Sequence, residues 1–336
     1  MHYRLDCTAM LQDSINRYEH RMNSKQLRYF LKTAEKGSIT AAAKALDIAQ
    51  PAVSQQISNL EHELSVQLFE RDFRGVRLTI SGKKFYLRAK SIVSQMSIAK
   101  SEIVDNEANP SGHISLGITQ AACNVLAIPL TQAIQKNYPN IELTLQCGTT
   151  DFINQWLSSG QIDLAITYEN THLDKNFFST PLIKENIYLV VGTEKKSNMY
   201  QELVKKDKIE LKQLTEFEII LPQQNDPIVQ MLNRYETQTG VRIWGKPNFG
   251  LLMTNLRYVT DGFGLMLLPS SAVFHLEKAK QLKAISVINP ELTRTVLLQN
   301  NTKKTSSLAM QVVSKTVLNL VKKAHSLGDW RGQLLF

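Results

Sequence analysis

Gly37-Ser38-Ile39-Thr40-Ala41-Ala42-Ala43-Lys44-Ala45-Leu46, then Asp47-Ile48-Ala49, then Gln50-Pro51-Ala52-Val53-Ser54-Gln55-Gln56-Ile57-Ser58-Asn59-Leu60 is the stretch that decides how this chain reads. Gly37 ends a helix that begins at Ser24, a plausible N-cap, and carries Leu27, Phe30, Leu31 and Ala34 at helical spacing. Ser38 caps a short second helix whose alanines allow close approach by a neighbour. A three-residue turn follows, and Pro51 suits the first turn of a third helix. That helix repeats Val53, Ile57, Leu60 and Leu64 on one face and shows Gln50, Ser54, Gln55, Ser58 and Asn59 on the other. Surface helices usually display Lys and Glu. Short amide and hydroxyl side chains suit the edges of bases, and a helix-turn-helix enters the major groove with the N-terminal part of its second helix. A plain three-helix bundle with a polar exterior is the competing reading; the turn, the proline and the basic flanks argue against it.

Outward from this core, Leu68 to Thr79 alternates around Gly75 and reads as a β-hairpin wing. Arg71, Arg74 and Arg77 would meet phosphates or the minor groove there, with simple solvation as the alternative. Thr79 caps a long helix from Ile80 to about Asn106. Phe85, Ala89, Ile92, Met96, Ala99 and Ile103 are spaced 4, 3, 4, 3, 4 along it, a heptad seam that predicts pairing with a second copy; burial within one chain competes. Residues 22–90 hold twelve Lys/Arg against six Asp/Glu, a surplus of six out of the chain's net +9, an electrostatic footprint for a polyanion. Residues 1–21 lack an apolar period and read as a disordered extension, or as an over-long start with the initiator at Met22.

Asn106 to Gly112 is a linker by composition, and the pattern then changes. Ile114–Ile118, Ile141–Leu145 and Asp163–Ile166 read as strands, separated by helices over Val125–Tyr138 and Asp151–Ser159, a βαβαβ rhythm. Further strands are predicted at Asn186–Val191, Glu218–Leu221, Gly264–Leu268 and Thr293–Leu298. Helices are predicted at Pro227–Thr239, Met253–Asp261 and Ser306–His325. The division expected is 22–80 for the head, 81–106 for a dimerisation helix, 107–112 for a hinge, 113–185 with 290–325 for one lobe, 186–289 for a second, and 326–336 for a tail.

The composition excludes several classes. No apolar run approaches the ~18 residues of a membrane span, and residues 1–21 hold no apolar core of a secretory signal. Cys7, Cys123 and Cys147 form no CxxC, and no His/Cys cluster has metal-ligand spacing, so no metal and no cofactor are expected. The seven histidines lie outside any GxSxG, HExxH or GxGxxG setting, and Gly262-Phe263-Gly264 is too short for a phosphate loop, so no catalytic residue is assigned. A transport-type solute-binding protein fits the later strands and helices but not the N-terminal head.

Gln26-Leu27-Arg28-Tyr29-Phe30, Gly37 to Ala43, Gln50 to Ile57, Leu60-Glu61, Leu68-Phe69-Glu70-Arg71 and Leu78 to Gly82, in that order, resemble the DNA-binding head of LysR-type transcription regulators. A looser likeness runs through Gly112 to Gly117, Leu157 to Ala165 and Gly262 to Pro269. Ile48 to Pro51 and Pro181 to Gly192 are most similar to a branch of that family acting in nitrogen assimilation. Ala49 departs from the pattern, which commonly has Ser there. The resemblance implies a multi-domain α+β chain: a winged helix-turn-helix, a long linker helix and a two-lobed α/β effector domain like periplasmic binding proteins. It implies a cytoplasmic homodimer or homotetramer on double-stranded promoter DNA, a small-molecule effector, RNA polymerase as a partner of an activator, and no membrane partner. By position, Gln50, Pro51, Ser54, Gln55, Ser58 and Arg74 would carry the DNA contacts, with Thr40 on the preceding helix beside them.

An interlobe cleft gathers strand ends and helix N-termini, which suits a small ligand. Thr119 and Thr167 end strands, Thr149 and Thr150 open a helix, and Thr254 and Phe263 would face them from the second lobe. Helix capping accounts for Thr149 or Thr150 equally well, and Asp151 disfavours a strongly anionic effector.

Overall fold

A computed structural model describes residues 22–72, 75–104, 109–169, 177–194, 198–222, 226–246, 250–302 and 306–336. The extension read at 1–21, the wing-tip Arg74 and the Ala99 and Ile103 side chains lie outside the described residues. The chain divides into two compact units, the first closing at Ser97 and the second running on from Ile98.

In the head, α1 (Ser24–Lys36), α2 (Ile39–Leu46) and α3 (Gln50–Glu63) pack around Leu27, Phe30, Ala43, Val53, Ile57 and Leu60. The N-cap of α1 is Asn23, one residue before the expected Ser24: its side chain accepts from Gln26 N–H while Gln26 reaches back to Asn23 N–H. That reciprocal pair satisfies two orphan donors, which Ser24 alone would not. Ser38 caps α2 as expected. The wing is β1 (Phe69–Asp72) against β2 (Gly75–Leu78). Val76 N–H donates to the Gly37 carbonyl at 2.9 Å, and a Cβ on Gly75 would collide with that same oxygen. Glycine at Gly75 thus lets the wing dock on the α1–α2 turn.

Thr79 caps α4 (Ile80–Val104) through Gly82 N–H. The expected seam is only in part available on its surface. Ala89 is fully buried, Phe85 and Ile92 pack on the head's own core, and the Phe85 ring lies 5.0 Å from that of Phe30. Intrachain burial therefore explains the first half of the period. Met96 is exposed.

The second unit begins with the parallel strands β3 (Gly112–Thr119), β4 (Ile141–Gly148) and β5 (Leu164–Tyr168), with α5 (Gln120–Asn137) and α6 (Thr150–Ser158) between them. Buried Asp163 accepts from both the backbone and the hydroxyl of Ser115, stapling β5's approach to β3. The strand expected at Asn186–Val191 is the end of a longer one, β6 (Phe177–Gly192). Its first half pairs with β12 (Thr293–Asn301), and its second with β10 (Leu265–Pro269) and β11 (Leu282–Ile288). One continuous strand thus serves both lobes, a continuity that local alternation does not reveal. The second lobe adds α7 (Asn198–Val204), β7 (Lys208–Glu210), a 3-10 turn at Leu211–Glu216, β8 (Ile219–Ile220), α8 (Pro227–Thr239), β9 (Gly245–Lys246), α9 (Leu252–Thr260) and α10 (Ser270–Lys278).

Returning to the first lobe, α11 (Leu308–Ser326) contributes Val313, Val317 and Val321 to its core. The stretch 326–336, expected as a tail, belongs to the fold instead. β13 (Gly332–Leu334) pairs with β6, and Trp330 is fully buried in the core of the first lobe. No helix among the described residues is long and apolar enough to cross a membrane.

Candidate nucleic-acid interface and ligand cleft

The head presents the polar face that its period requires. Val53, Ile57 and Leu60 are fully buried, so α3 has one fixed rotation about its axis. That rotation leaves Gln50, Pro51, Gln55, Ser58 and Asn59 exposed and Ser54 half-buried; Thr40 on α2 is exposed as well. Gln55 Nε2 donates to Asn59 Oδ1 at 2.9 Å, which holds its amide along the helix surface. Ala49 at the N-cap supplies no side-chain hydrogen bond, the consequence of its missing hydroxyl.

The wing arginines separate. Arg71 stands opposite Val76 and Arg77 opposite Glu70, so by strand alternation the two point to opposite faces of the ribbon. Both are exposed.

In the second unit a cavity of about 200 Å³ opens between the lobes. Thr119, Thr149 and Thr150 line it, as expected. Thr167, Thr254 and Phe263 do not. Thr167 is fully buried behind the strand, Thr254 points to solvent, and Phe263 rests against Tyr258 at 5.4 Å between ring centroids. Buried Asn255 lines the wall instead, because α9 turns that position inward, together with Gln120, Tyr168, Asp226 and Arg294.

Arg294 is the residue that sequence reasoning missed. It sits on β12 beside the point where β6 passes between lobes, with only 6% of its side chain exposed. Its Nε donates to Glu185 Oε1 at 2.6 Å and its Nη2 to the Tyr168 hydroxyl at 2.8 Å. The guanidinium carbon lies 3.6 Å from the Tyr168 ring centroid. Asp226, the N-cap of α8, stands 3.9 Å from Nη1. Glu185 is held from two further sides: Trp330 Nε1–H donates to Oε2 at 2.6 Å and the Ser271 hydroxyl at 3.1 Å. Burial would lower the guanidinium pKa, yet Tyr168, Glu185 and Asp226 outweigh it and hold Arg294 charged, above its ordinary range. Burial likewise raises the Tyr168 phenol, with Arg294 opposing. Among the described residues, the charged groups on the cavity wall are thus one cation already matched by Glu185, and the two carboxylates Asp151 and Asp226. The signal in the sequence is faint: a lone Arg inside a strand of apolar residues, and an Asp-Pro pair before a helix.

Residues 24–83 match the family of bacterial regulatory helix-turn-helix proteins, lysR family, and residues 107–321 match the LysR substrate binding domain. The chain is 29% identical over 305 residues to the nitrogen assimilation regulatory protein nac of Klebsiella aerogenes, covering 90% of this chain and 96% of that protein. It superposes on a full-length OxyR variant from Pseudomonas aeruginosa with a TM-score of 0.68 at 20% identity, over 94% of this chain and 98% of that one. Full-length CbnR complexed with its target DNA gives a TM-score of 0.62 at 18% identity, over 90% and 100%.

Proposed function

The chain belongs to the LysR family and is a DNA-binding transcription regulator, not an enzyme, and we propose that it reads pseudo-palindromic promoter sites as a homodimer or homotetramer under the control of a small effector. The observation that carries this reading is the fixed rotation of α3, which buries Val53, Ile57 and Leu60 and leaves Gln50, Gln55 and Ser58 exposed. Gln50, Pro51, Ser54, Gln55 and Ser58 would lie along base edges, Thr40 at the adjoining backbone, and Arg71, Arg74 and Arg77 at phosphates flanking the site. Because the first half of the α4 seam is occupied within the head, the second copy would engage the helix from Met96 onward, through Ala99 and Ile103, with Phe85 and Ile92 contributing only their outer edges.

The effector site is the cavity of Thr119, Thr149 and Thr150. One matched cation against two carboxylates disfavours anions, so the effector class is a small neutral or cationic molecule able to hydrogen-bond hydroxyls and the Asn255 amide. Likeness to a nitrogen assimilation regulator supports genes of nitrogen metabolism as targets in the cytoplasm, with RNA polymerase as a partner where the protein activates.

Footprinting of the full chain on upstream DNA should show paired protected half-sites, and unbiased selection should return a preferred sequence. Recovery of random sequence would end this reading. Genome-wide mapping that finds no nitrogen genes beside bound sites would remove the metabolic assignment alone.

A further inference from the structure

The last residues of the chain bind both lobes at once. Trp330 is fully buried in the core of the first lobe, and β13 pairs with Ile183 to Glu185, just where β6 passes from one lobe to the other. From this anchorage three consecutive residues reach the second lobe. Asp329 forms an ion pair with Lys278 on α10. Trp330 Nε1–H and the hydroxyl of Ser271, also on α10, donate to one carboxylate oxygen, Glu185 Oε2, at 2.6 and 3.1 Å. Arg331 N–H donates to the Ser270 hydroxyl at 2.7 Å and its Nη2 to Glu277 Oε2 at 2.5 Å, both at the same helix. The Arg331 guanidinium carbon lies 4.4 Å from the ring centroid of Tyr188, in the second-lobe half of β6.

From this arrangement we propose that Asp329-Trp330-Arg331 is a strap that fixes the angle between the lobes and so sets how far the cleft opens. α10 moves with the second lobe, because Ala272 and Val273 pack with Val190, Met266 and Leu268 in one core. A rotation of that lobe about the β6 crossing carries α10 along. The Trp330 indole cannot follow without leaving the core of the first lobe. The contacts of the strap must therefore break before the lobes can turn.

Those contacts differ in what they resist. Lys278 is mostly exposed, so its pair with Asp329 contributes little alone. Ser270 and Ser271 are fully buried, and withdrawing the Arg331 amide or the Glu185 carboxylate strands their hydroxyls away from water. Asn124 on α5 grips the same helix from the first lobe through the carbonyl oxygens of Ser271 and Ala272. Two routes connect the strap to the cleft. Pro269, the residue before Ser270, lines the cavity, and Glu185 holds Arg294 on its wall. The strap acts on lobe geometry with or without a molecule in the cavity, so it does not rest on the effector reading.

The test measures the distance between the lobes in the full chain by electron–electron double resonance. Nitroxides are placed on Lys136→Cys in α5 and Asn233→Cys in α8, both exposed, with Cys7, Cys123 and Cys147 replaced by Ser. Excess unlabelled chain ensures that only pairs within one molecule are read. With the strap intact, a single distance should dominate. In Asp329→Ala/Arg331→Ala, a second distance should appear in more than about 10% of molecules. Glu277→Ala/Lys278→Ala, which leaves the strap itself untouched and removes its partners on α10, should give the same second population. Gln333→Ala, exposed on β13, should keep the single distance. An unchanged distribution in Glu277→Ala/Lys278→Ala would overturn the proposal even if the strap variant fails to fold, and so would a second distance in Gln333→Ala.

Discussion

The exposed face of α3 and the interlobe cleft, the two recognition surfaces proposed here, are specified in opposite ways. In the head, the polar face of α3 is what is left over once Val53, Ile57 and Leu60 are buried, so each exposed position on that helix lies within two turns of the residue that orients it. In the cleft, Thr119, Tyr168, Asp226 and Arg294 come from four separate elements, and an ionic cluster around Arg294 ties the last three together. A locally specified surface tolerates change one residue at a time. A network built from distant residues fails as a unit, because removing one member strands another in a low-dielectric interior.

The largest expected effect follows from that difference. Glu185→Ala leaves the Arg294 guanidinium without its carboxylate at 1% side-chain exposure for Glu185 itself, and breaking such a pair costs about 3–5 kcal/mol. Denaturant unfolding of the full chain should show the sensor transition moving by that amount while the head transition stays in place. If both move together, the two units do not unfold separately and the contrast drawn above is lost. Trp330→Phe should follow, at about 1–3 kcal/mol, since it keeps a ring in the core but removes the N–H that satisfies Glu185 Oε2. Phe in place of Trp also leaves a space, so the comparison with Glu185→Gln separates the hydrogen bond from packing.

These two positions also mark where reading the sequence succeeds and where it stops. Period and capping locate α1 to α4, because each helix records its own buried face in the spacing of Phe30, Val53 or Ile57, and the family likeness rests on those same residues. The threonines of the cavity are legible because strand ends and helix starts are local events. Arg294 and Glu185 are not, since no spacing announces that residues 109 positions apart will share a proton donor and acceptor. Continuity of β6 through both lobes is hidden by Pro181, which sits at a register shift where β6 carries one extra residue, Leu182, against β12. The C-terminal stretch reads as a tail because three residues of β13 carry no period at all; its anchors, the Trp330 indole and the pairing of β13 with β6, are both long-range.

In the head, the same contrast predicts additive, position-limited effects. Gln55→Ala should relax discrimination at one base pair per half-site by about 1–3 kcal/mol, or about 5- to 150-fold, without altering stability measurably, because the side chain is exposed and its internal hydrogen bond is to Asn59. Binding-site selection with the variant reads this directly; uniform weakening at every position would mean that Gln55 meets phosphate instead. Arg71→Ala and Arg77→Ala should each make the dependence of log affinity on log salt shallower by about 1, for all sequences alike. Their opposite orientation on the wing sharpens the outcome: an equal response from both would place the ribbon edge-on against the backbone, and a response from one alone would lay it flat.

The smallest effect concerns the joint between lobes. Asn124 Nδ2 on α5 shares its two N–H groups among the carbonyl oxygens of Ser271 and Ala272 and, at 3.1 Å, His275 Nδ1 on α10. An accepting Nδ1 requires a ring with its proton elsewhere, and burial lowers the His275 pKa below its ordinary value, favouring the same neutral form. Unfolded chains bind this proton at the ordinary histidine pKa of about 6.5, whereas the folded protein resists it to lower pH. The stabilisation is therefore complete above that value and declines as pH falls toward the folded pKa. Because the ring edge is exposed, the slope should be shallow, and it should appear in the sensor transition only. His275→Asn, which cannot take up a proton, should flatten the sensor's stability between about pH 7 and pH 5.5, with carboxylate titration beginning only below that range. A slope that survives the substitution would move the proton to another group and leave the Asn124 contact as a simple polar tie.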